Sequence, residues 1–402
     1  MTTALWPFKV LYVLHSGCQM MLLRFITTYF VHIGLDTTSI GYLNAMRPLA
    51  SFVGEVLIAS VVDHLHCFRA TVLVFNSLGV ALFLCMPLAT SFSQILAVFG
   101  LSMLGVSWMG LRDARVLATL DKQGRGSEFG QVRKFAAVGW GASGLVVGQL
   151  QDCLGKFAIF GAFAGTEAVL MLFICFLPME PPARAQNAED KTSLLSTLRT
   201  ADVLLFYSNL FAYGFCASLV EIYLFVFLLR DFSGSSDALA GCTLVVMTLS
   251  ELPVFQYADR LMGHGYAPVQ VFCQWVFALR CLLYAALPAS KPWMVLLVEP
   301  LHGMTFAAMW ASSVEFGRRM APAGCAARFQ AITNGIYFQA SFGVGSLFWG
   351  HFAAAEGYRP AYRVDALLVV SWGILWGLVM LRRAKASTKT AELARGLLEG
   401  SS

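Results

Sequence analysis

Glu299 and His302 stand three residues apart in VEPLHGMTFAAMW, Val298 to Trp310, a run that is otherwise almost wholly apolar. On a helix that spacing puts both side chains on one face. A carboxyl and an imidazole so placed can hold and pass a proton. Ionisable groups in apolar surroundings are costly enough to mark an ion or solute path. Arg280, in the preceding apolar run, can either neutralise Glu299 or tune its hold on a proton. A second group is Asp113, Arg133 and Trp140. Arg133 and Trp140 are seven residues apart, almost two helical turns along one face. A guanidinium grips a polar solute through paired hydrogen bonds, and an indole stacks on a sugar ring or an aromatic ring. Asp113 is the natural partner of Arg133, although with Arg112 and Arg115 beside it the same residues could form a structural ion-pair knot. Arg133 as a charge anchor and Trp140 as a packing residue are the plainer alternatives.

Other ionisable residues fall inside apolar runs. Arg24 and Arg47 come early in the chain. Glu221 could pair with either of them or line a solute cavity, so Arg24 and Glu221 are further solute-binding candidates. Glu55 and Asp63, eight residues apart, are matched by Glu251 and Asp259, again eight apart. That repetition favours a structural or gating role for all four. Glu167 faces either a neighbouring helix or lipid.

The elements that carry these residues are set by composition. Of 402 residues 58% are hydrophobic and 13% charged, whereas soluble domains carry about 25% charged residues. Twelve apolar runs recur at 8–33, 39–63, 68–89, 92–118, 129–151, 156–178, 201–229, 237–260, 267–287, 292–318, 325–353 and 359–382. Each is long enough to cross a bilayer as a helix, and the short alternating segments of a barrel are missing. The fold class is an all-α polytopic membrane protein of twelve transmembrane helices in two pseudo-symmetric six-helix bundles. The bundles are residues 1–178 and 201–383, joined by a linker at 179–200 and followed by a solvated tail at 384–402. The linker, with PPARAQNAEDKTS, reads as flexible or as a short surface helix. Lys and Arg concentrate in the loops on the side of both termini, among them Lys122, Arg125, Arg184, Lys191, Arg318, Arg319, Arg382 and Arg383. Both termini are therefore expected in the cytosol, with the plasma membrane favoured over an organelle.

The halves repeat in their small residues as well. Gly141, Gly144 and Gly148 are spaced like Gly343, Ser346 and Gly350, and small residues four apart let helix backbones approach closely. Counting helical rise, Arg280 lies roughly 20 Å from one surface and Glu299 roughly 10 Å from the other. In a core of about 30 Å those depths coincide. A salt bridge or shared proton site between them is expected.

SEFGQVRKFAAVGWG, Ser127 to Gly141, carries the pattern FG-x-x-R-x-F-x-x-VGW. Arg24, Phe25, Tyr29, Gly34, Leu35, Ile40, Gly41, Arg47 and Pro48 carry a second set. With twelve spans, a central linker and Asp63 as the remnant of a cytoplasmic loop signature, the chain resembles the major facilitator superfamily, and its lactose permease branch in particular. The resemblance implies that Arg133 and Trp140 serve a sugar site, and that Asp113 stands where the branch has a Glu. It matches Arg280 and His302 to an Arg and a His of that branch. It also shows two departures. Thr305 occupies the place of the proton-carrying Glu, and Glu299 the place of a Lys.

The expectation is a secondary transporter of a small polar organic solute, sugar first, moved by alternating access and coupled to protons in symport. The solute would sit between Asp113, Arg133 and Trp140 on one half and Arg280, Glu299 and His302 on the other, with Glu299 and His302 as the coupling pair. An uncoupled facilitator and a non-transporting receptor or scaffold are the alternatives. Partners are the solute, protons and the bilayer, and the chain acts as a monomer. No nucleic-acid surface, catalytic nucleophile, cofactor motif or metal cluster is evident, so no enzyme is expected.

Overall fold

The computed structural model describes residues 4–181, 189–322 and 325–399, and among them every regular element is helical. Apolar side chains have no reason to leave lipid, so the backbone must satisfy its own hydrogen bonds, which a helix does within each segment. Among the described residues twelve helical segments cross the molecule in turn. Span 1 is Trp6–His32, span 2 Thr37–Leu65, span 3 Phe68–Leu88, span 4 Phe92–Lys122, span 5 Phe135–Leu154 and span 6 Ala158–Phe176. Span 7 is Ala201–Asp231, span 8 Asp237–Gln256, span 9 Tyr266–Ala286 and span 10 Pro292–Val298 with Gly303–Met320. Span 11 covers 326–356 and span 12 is Tyr358–Glu399. The face that carries both ends of the chain is called the terminal face below, and the other the far face.

Among the described residues nine helices pass as membrane spans on length and apolarity, ten with the bent span 10. Spans 5 and 11 are the two below that level, diluted by Gly, Ser and Gln. The reason is where they pack. Span 5 lies against span 8 and span 11 against span 2, across the two halves. A Cβ on Gly144 would meet Leu244, and one on Gly148 would meet the backbone at Asp237 and Ala238. On the other side, one on Gly350 would run into Gly41 and the Tyr223 hydroxyl. The small residues that repeat between the halves are thus the contact strips of both cross-half seams, where lipid-like side chains would not fit.

Caps fix where the helices start. Asp36 accepts from the Ser39 backbone N–H at 2.9 Å to open span 2, and hydrogen bonding holds its carboxyl below the ordinary range. Ser91 and Gln94 form a reciprocal capping box at the start of span 4. Three π-helical turns interrupt the spans at Met21–Phe25, Gly303–Ala307 and Gly335–Ser341. Such turns gather at functional sites because the extra residue re-aims a side chain.

The linker resolves into a surface helix at Glu189–Leu198, while 182–188, with Arg184, lies outside the described residues. The tail carries regular structure. Span 12 continues as one helix of 42 residues to Glu399, with no Pro from Arg383 onward to break it.

Candidate functional site

Span 9 presents Arg280 and Tyr284 on successive turns, and both meet Glu299 of span 10. Arg280 Nη2 donates to Glu299 Oε2 at 3.0 Å, and the Tyr284 hydroxyl donates to Oε1 at 2.5 Å. Arg280 Nε donates to Tyr284 Oη at 2.8 Å, and Nη1 reaches His302 Nδ1 at 3.1 Å. Glu299 has 0% exposure. The depth coincidence read from the sequence is therefore a direct ion pair.

His302 closes the second part of the cluster. A guanidinium can only donate, so Nδ1 is the acceptor and the ring proton sits on Nε2. Nε2 donates to Glu251 Oε1 of span 8 at 3.0 Å. This contact depends on Gly303, where a Cβ would run into the Ser250 backbone. Without a side chain there, span 10 approaches span 8 and the Gly303 N–H donates to Ser250 Oγ at 3.0 Å. The π-turn begins at that glycine.

The third part crosses between the halves. Arg24, in the π-turn of span 1, pairs with Glu221 Oε2 of span 7 at 3.1 Å, donates to the Glu221 carbonyl, and lies over Phe225. Glu221 Oε1 is 3.7 Å from His302 Nδ1. Arg24, Glu221, Glu251, Arg280, Glu299 and His302 thus form one network drawn from spans 1, 7, 8, 9 and 10. Arg47 stays apart, donating to the Leu23 carbonyl and to Asn44.

A second cluster sits toward the terminal face. Asp113 Oδ1 accepts from Tyr12 Oη at 2.8 Å and from Arg112 Nε and Nη2 at 2.9 and 2.7 Å. Asp113 Oδ2 is 3.4 Å from Arg133 Nε. The Arg133 side chain is 50% exposed and Asp113 22%. Arg112 also lies over the Tyr12 ring, so it fixes the carboxylate while Arg133 remains free to reach outward. Tyr12 and Arg24 are twelve residues apart on span 1, so the two clusters are separated by about 18 Å along the helix. Trp140, partly buried, falls about 10 Å beyond Arg133 in the same direction. The sequence-expected residues are therefore grouped as two clusters at different depths.

The remaining candidates separate from one another. Glu55 accepts from the Gly110 backbone N–H at 2.5 Å, where span 4 resumes its helix after a break at Ser107 and Trp108. It caps a helix start. Its repeat partner Glu251 belongs to the charge network instead. Asp63 and Asp259 are exposed near the terminal-face ends of spans 2 and 8. Glu167 faces a neighbour, accepting from Asn76 at 2.8 Å.

Tyr12 and Tyr284 were not anticipated. Tyrosines in apolar runs read as packing, and only the pairing of spans that are remote in sequence reveals their hydroxyls. The hydrogen bonds that join the halves gather at and below the far face. His32 meets Asp237 at 2.7 Å, and Asp152 accepts from the Asp237 and Ala238 N–H groups at 2.9 and 3.0 Å. Arg230 donates to Thr37 at 2.5 Å and to the Leu35 carbonyl, and Thr37 meets Tyr358 at 2.9 Å. The molecule is latched at the far face, with Arg133 half exposed toward the terminal one.

The sequence profile of the MFS_1 like family matches residues 5–364. The chain belongs to that family. It is 25% identical over 320 residues to the maltose permease of Geobacillus stearothermophilus, covering 78% of this chain and 77% of that one. It is 27% identical over 192 residues to the putative nucleoside transporter YegT of Escherichia coli K12, covering 44% and 45%. Its fold matches the crystal structure of the nucleoside transporter NupG with TM-score 0.77, 17% identity and coverage of 94% and 99%. A POT family transporter matches with TM-score 0.71, 12% identity and coverage of 95% and 96%. The protein has the major facilitator fold and is a multi-pass membrane transporter rather than an enzyme.

Proposed function

We propose that this transporter carries a polyhydroxylated solute, a sugar or a nucleoside, by alternating access and in symport with protons. The carrying observation is the buried charge network that bridges the halves through Arg24 and Glu221. An ion pair across the seam must be remade when the halves rock, so its energy is sensitive to charge within the network. Arg133 and Asp113 would take the solute's hydroxyls at the terminal-face end, with Trp140 offering a flat surface beyond them. Glu221 and Arg24 would meet its far end.

The terminal face is read as cytosolic from its Lys and Arg, which makes this conformation the inward-open one. The proton is held within the network that includes Glu299 and His302, and neutralising it favours rocking with solute bound. We place the protein in the plasma membrane as a monomer of two six-helix bundles, 1–178 and 201–383. The relatives support either solute class, a maltose permease on one side and a putative nucleoside transporter on the other.

The test is uptake of radiolabelled maltose and radiolabelled uridine into vesicles of purified protein. Saturable uptake of either supports the reading. No flux of either would argue for a receptor or scaffold.

A further inference from the structure

Arg47 stands outside the charge network, yet it is itself a buried cation. It lies on span 2 with 7% exposure, and among the described residues no carboxylate pairs with it. A charge in that place is costly unless polar groups meet it. Its Nη1 donates to the Leu23 carbonyl at 2.7 Å and to Asn44 Oδ1 at 3.2 Å. Asn44 stands three residues earlier on the same helical face. It donates its own Nδ2 to the Ile40 carbonyl at 2.9 Å, which turns Oδ1 toward the guanidinium. The guanidinium is thereby aimed at one backbone oxygen of span 1.

That oxygen belongs to the π-turn Met21–Phe25, in the residue just before Arg24. Three successive carbonyls of the turn accept from side chains. Leu23 takes Arg47 from span 2, Arg24 takes Thr27 Oγ1 at 2.5 Å, and Phe25 takes Thr28 Oγ1 at 2.8 Å. Two of these donors are local and one comes from another span. A single wide turn persists where its surroundings hold it, and this one decides where Arg24 points. From it Arg24 reaches the Glu221 carboxylate, the Val220 and Glu221 carbonyls and Met247 Sδ, all on the other half.

We propose that Arg47 is a positioning residue for the seam between the halves: it braces the π-turn of span 1 and so holds Arg24 toward Glu221. The assignment deepens the transport reading above and rests on it for its role in the cycle. Arg47 works in two ways. Its hydrogen bond to Leu23 fixes the backbone from which Arg24 leaves. Its charge also lies within electrostatic reach of Arg24, and like charges repel, so Arg24 is kept from turning back toward span 2. Spans 1 and 2 belong to one half and rock together. The brace therefore travels with Arg24 while the contact with Glu221 is broken and remade.

The experiment is a double-mutant cycle on Arg24 and Glu221, read as thermal unfolding of the full chain in lipid bilayers. With Arg47 in place, Arg24→Gln, Glu221→Gln and the double variant should shift the unfolding temperature non-additively. In an Arg47→Gln background the two single shifts should sum to that of the double, with the coupling lost. Arg47→Lys keeps the charge and a donor for the Leu23 carbonyl, and should restore most of the coupling. A residue that only packs would lower every unfolding temperature alike and leave the coupling unchanged, and that result overturns the proposal. So does a lysine variant no better than the glutamine one. If Arg47→Gln does not fold, Asn44→Ala takes its place, since it releases the guanidinium without removing it. The coupling should then shrink, and an unchanged coupling overturns the proposal equally. Maltose and uridine uptake is measured in vesicles of the same proteins. Coupling that depends on Arg47 without uptake of either would fault the transport reading and leave the positioning role standing.

Discussion

His302 donates its Nε2 proton to Glu251 at 3.0 Å while its Nδ1 faces Arg280 at 3.1 Å. One imidazole thus ties the carboxyl without a cation to the guanidinium that already has one. This relationship makes the network a single unit, since any change at Glu251 is felt by Arg280 and, through it, by Glu299.

Removing one member of the buried pair should be far worse than removing both. Glu299→Gln leaves the Arg280 charge unpaired and should cost about 3–5 kcal/mol of stability. Glu299→Gln with Arg280→Gln should recover most of that. Thermal unfolding of the purified single and double variants gives the coupling directly. Equal losses in the two would contradict the ion pair.

The terminal-face cluster should behave oppositely. The pair of Arg133 with Asp113 is half exposed, and such pairs contribute roughly 0–1 kcal/mol to stability. Arg133→Lys should leave the unfolding temperature nearly unchanged while weakening solute binding tenfold or more, about 1.4 kcal/mol, because a lysine cannot donate in a planar fork. Binding measured by calorimetry with whichever of maltose or uridine is transported provides the check.

Trp140 is expected to bind through its ring face. Trp140→Phe should retain most of the affinity, and Trp140→Ala should lose roughly three- to tenfold, the scale of one aromatic stacking contact. The same titrations report it. Equal affinity in both variants would return Trp140 to packing.

Closure at the far face should fail when a side chain is added at the seam. A Cβ on Gly148 would meet the Asp237 carbonyl and Ala238 Cα. Gly148→Val should therefore loosen the Asp152 contacts with the start of span 8. Amide hydrogen exchange measured by mass spectrometry should rise over 148–154 and 237–241 and stay unchanged at the terminal-face ends.

The fold was legible because span length is written in apolar runs and half-to-half symmetry in glycine spacing. Gly141, Gly144 and Gly148 sit at a close helix approach, as their spacing implied, and the structure supplies the partner, span 8. The pairing of Arg280 with Glu299 was legible too, since depth along two neighbouring spans follows from rise per residue. Partners on remote spans were not. Glu55 and Glu251 occupy equivalent places in the repeat, yet one caps a helix at Gly110 and the other meets His302. Repetition fixes position on a helix, and the residue brought opposite depends on packing that a single sequence does not display. Tyr12 and Tyr284 escaped for the same reason.

Solute accumulation in vesicles of the wild-type protein under an imposed, inside-alkaline pH gradient tests the central claim most directly. Either maltose or uridine should rise above its equilibrium level inside and fall back when a protonophore collapses the gradient. Uptake that stops at equilibrium with or without the gradient would show an uncoupled facilitator and contradict the account.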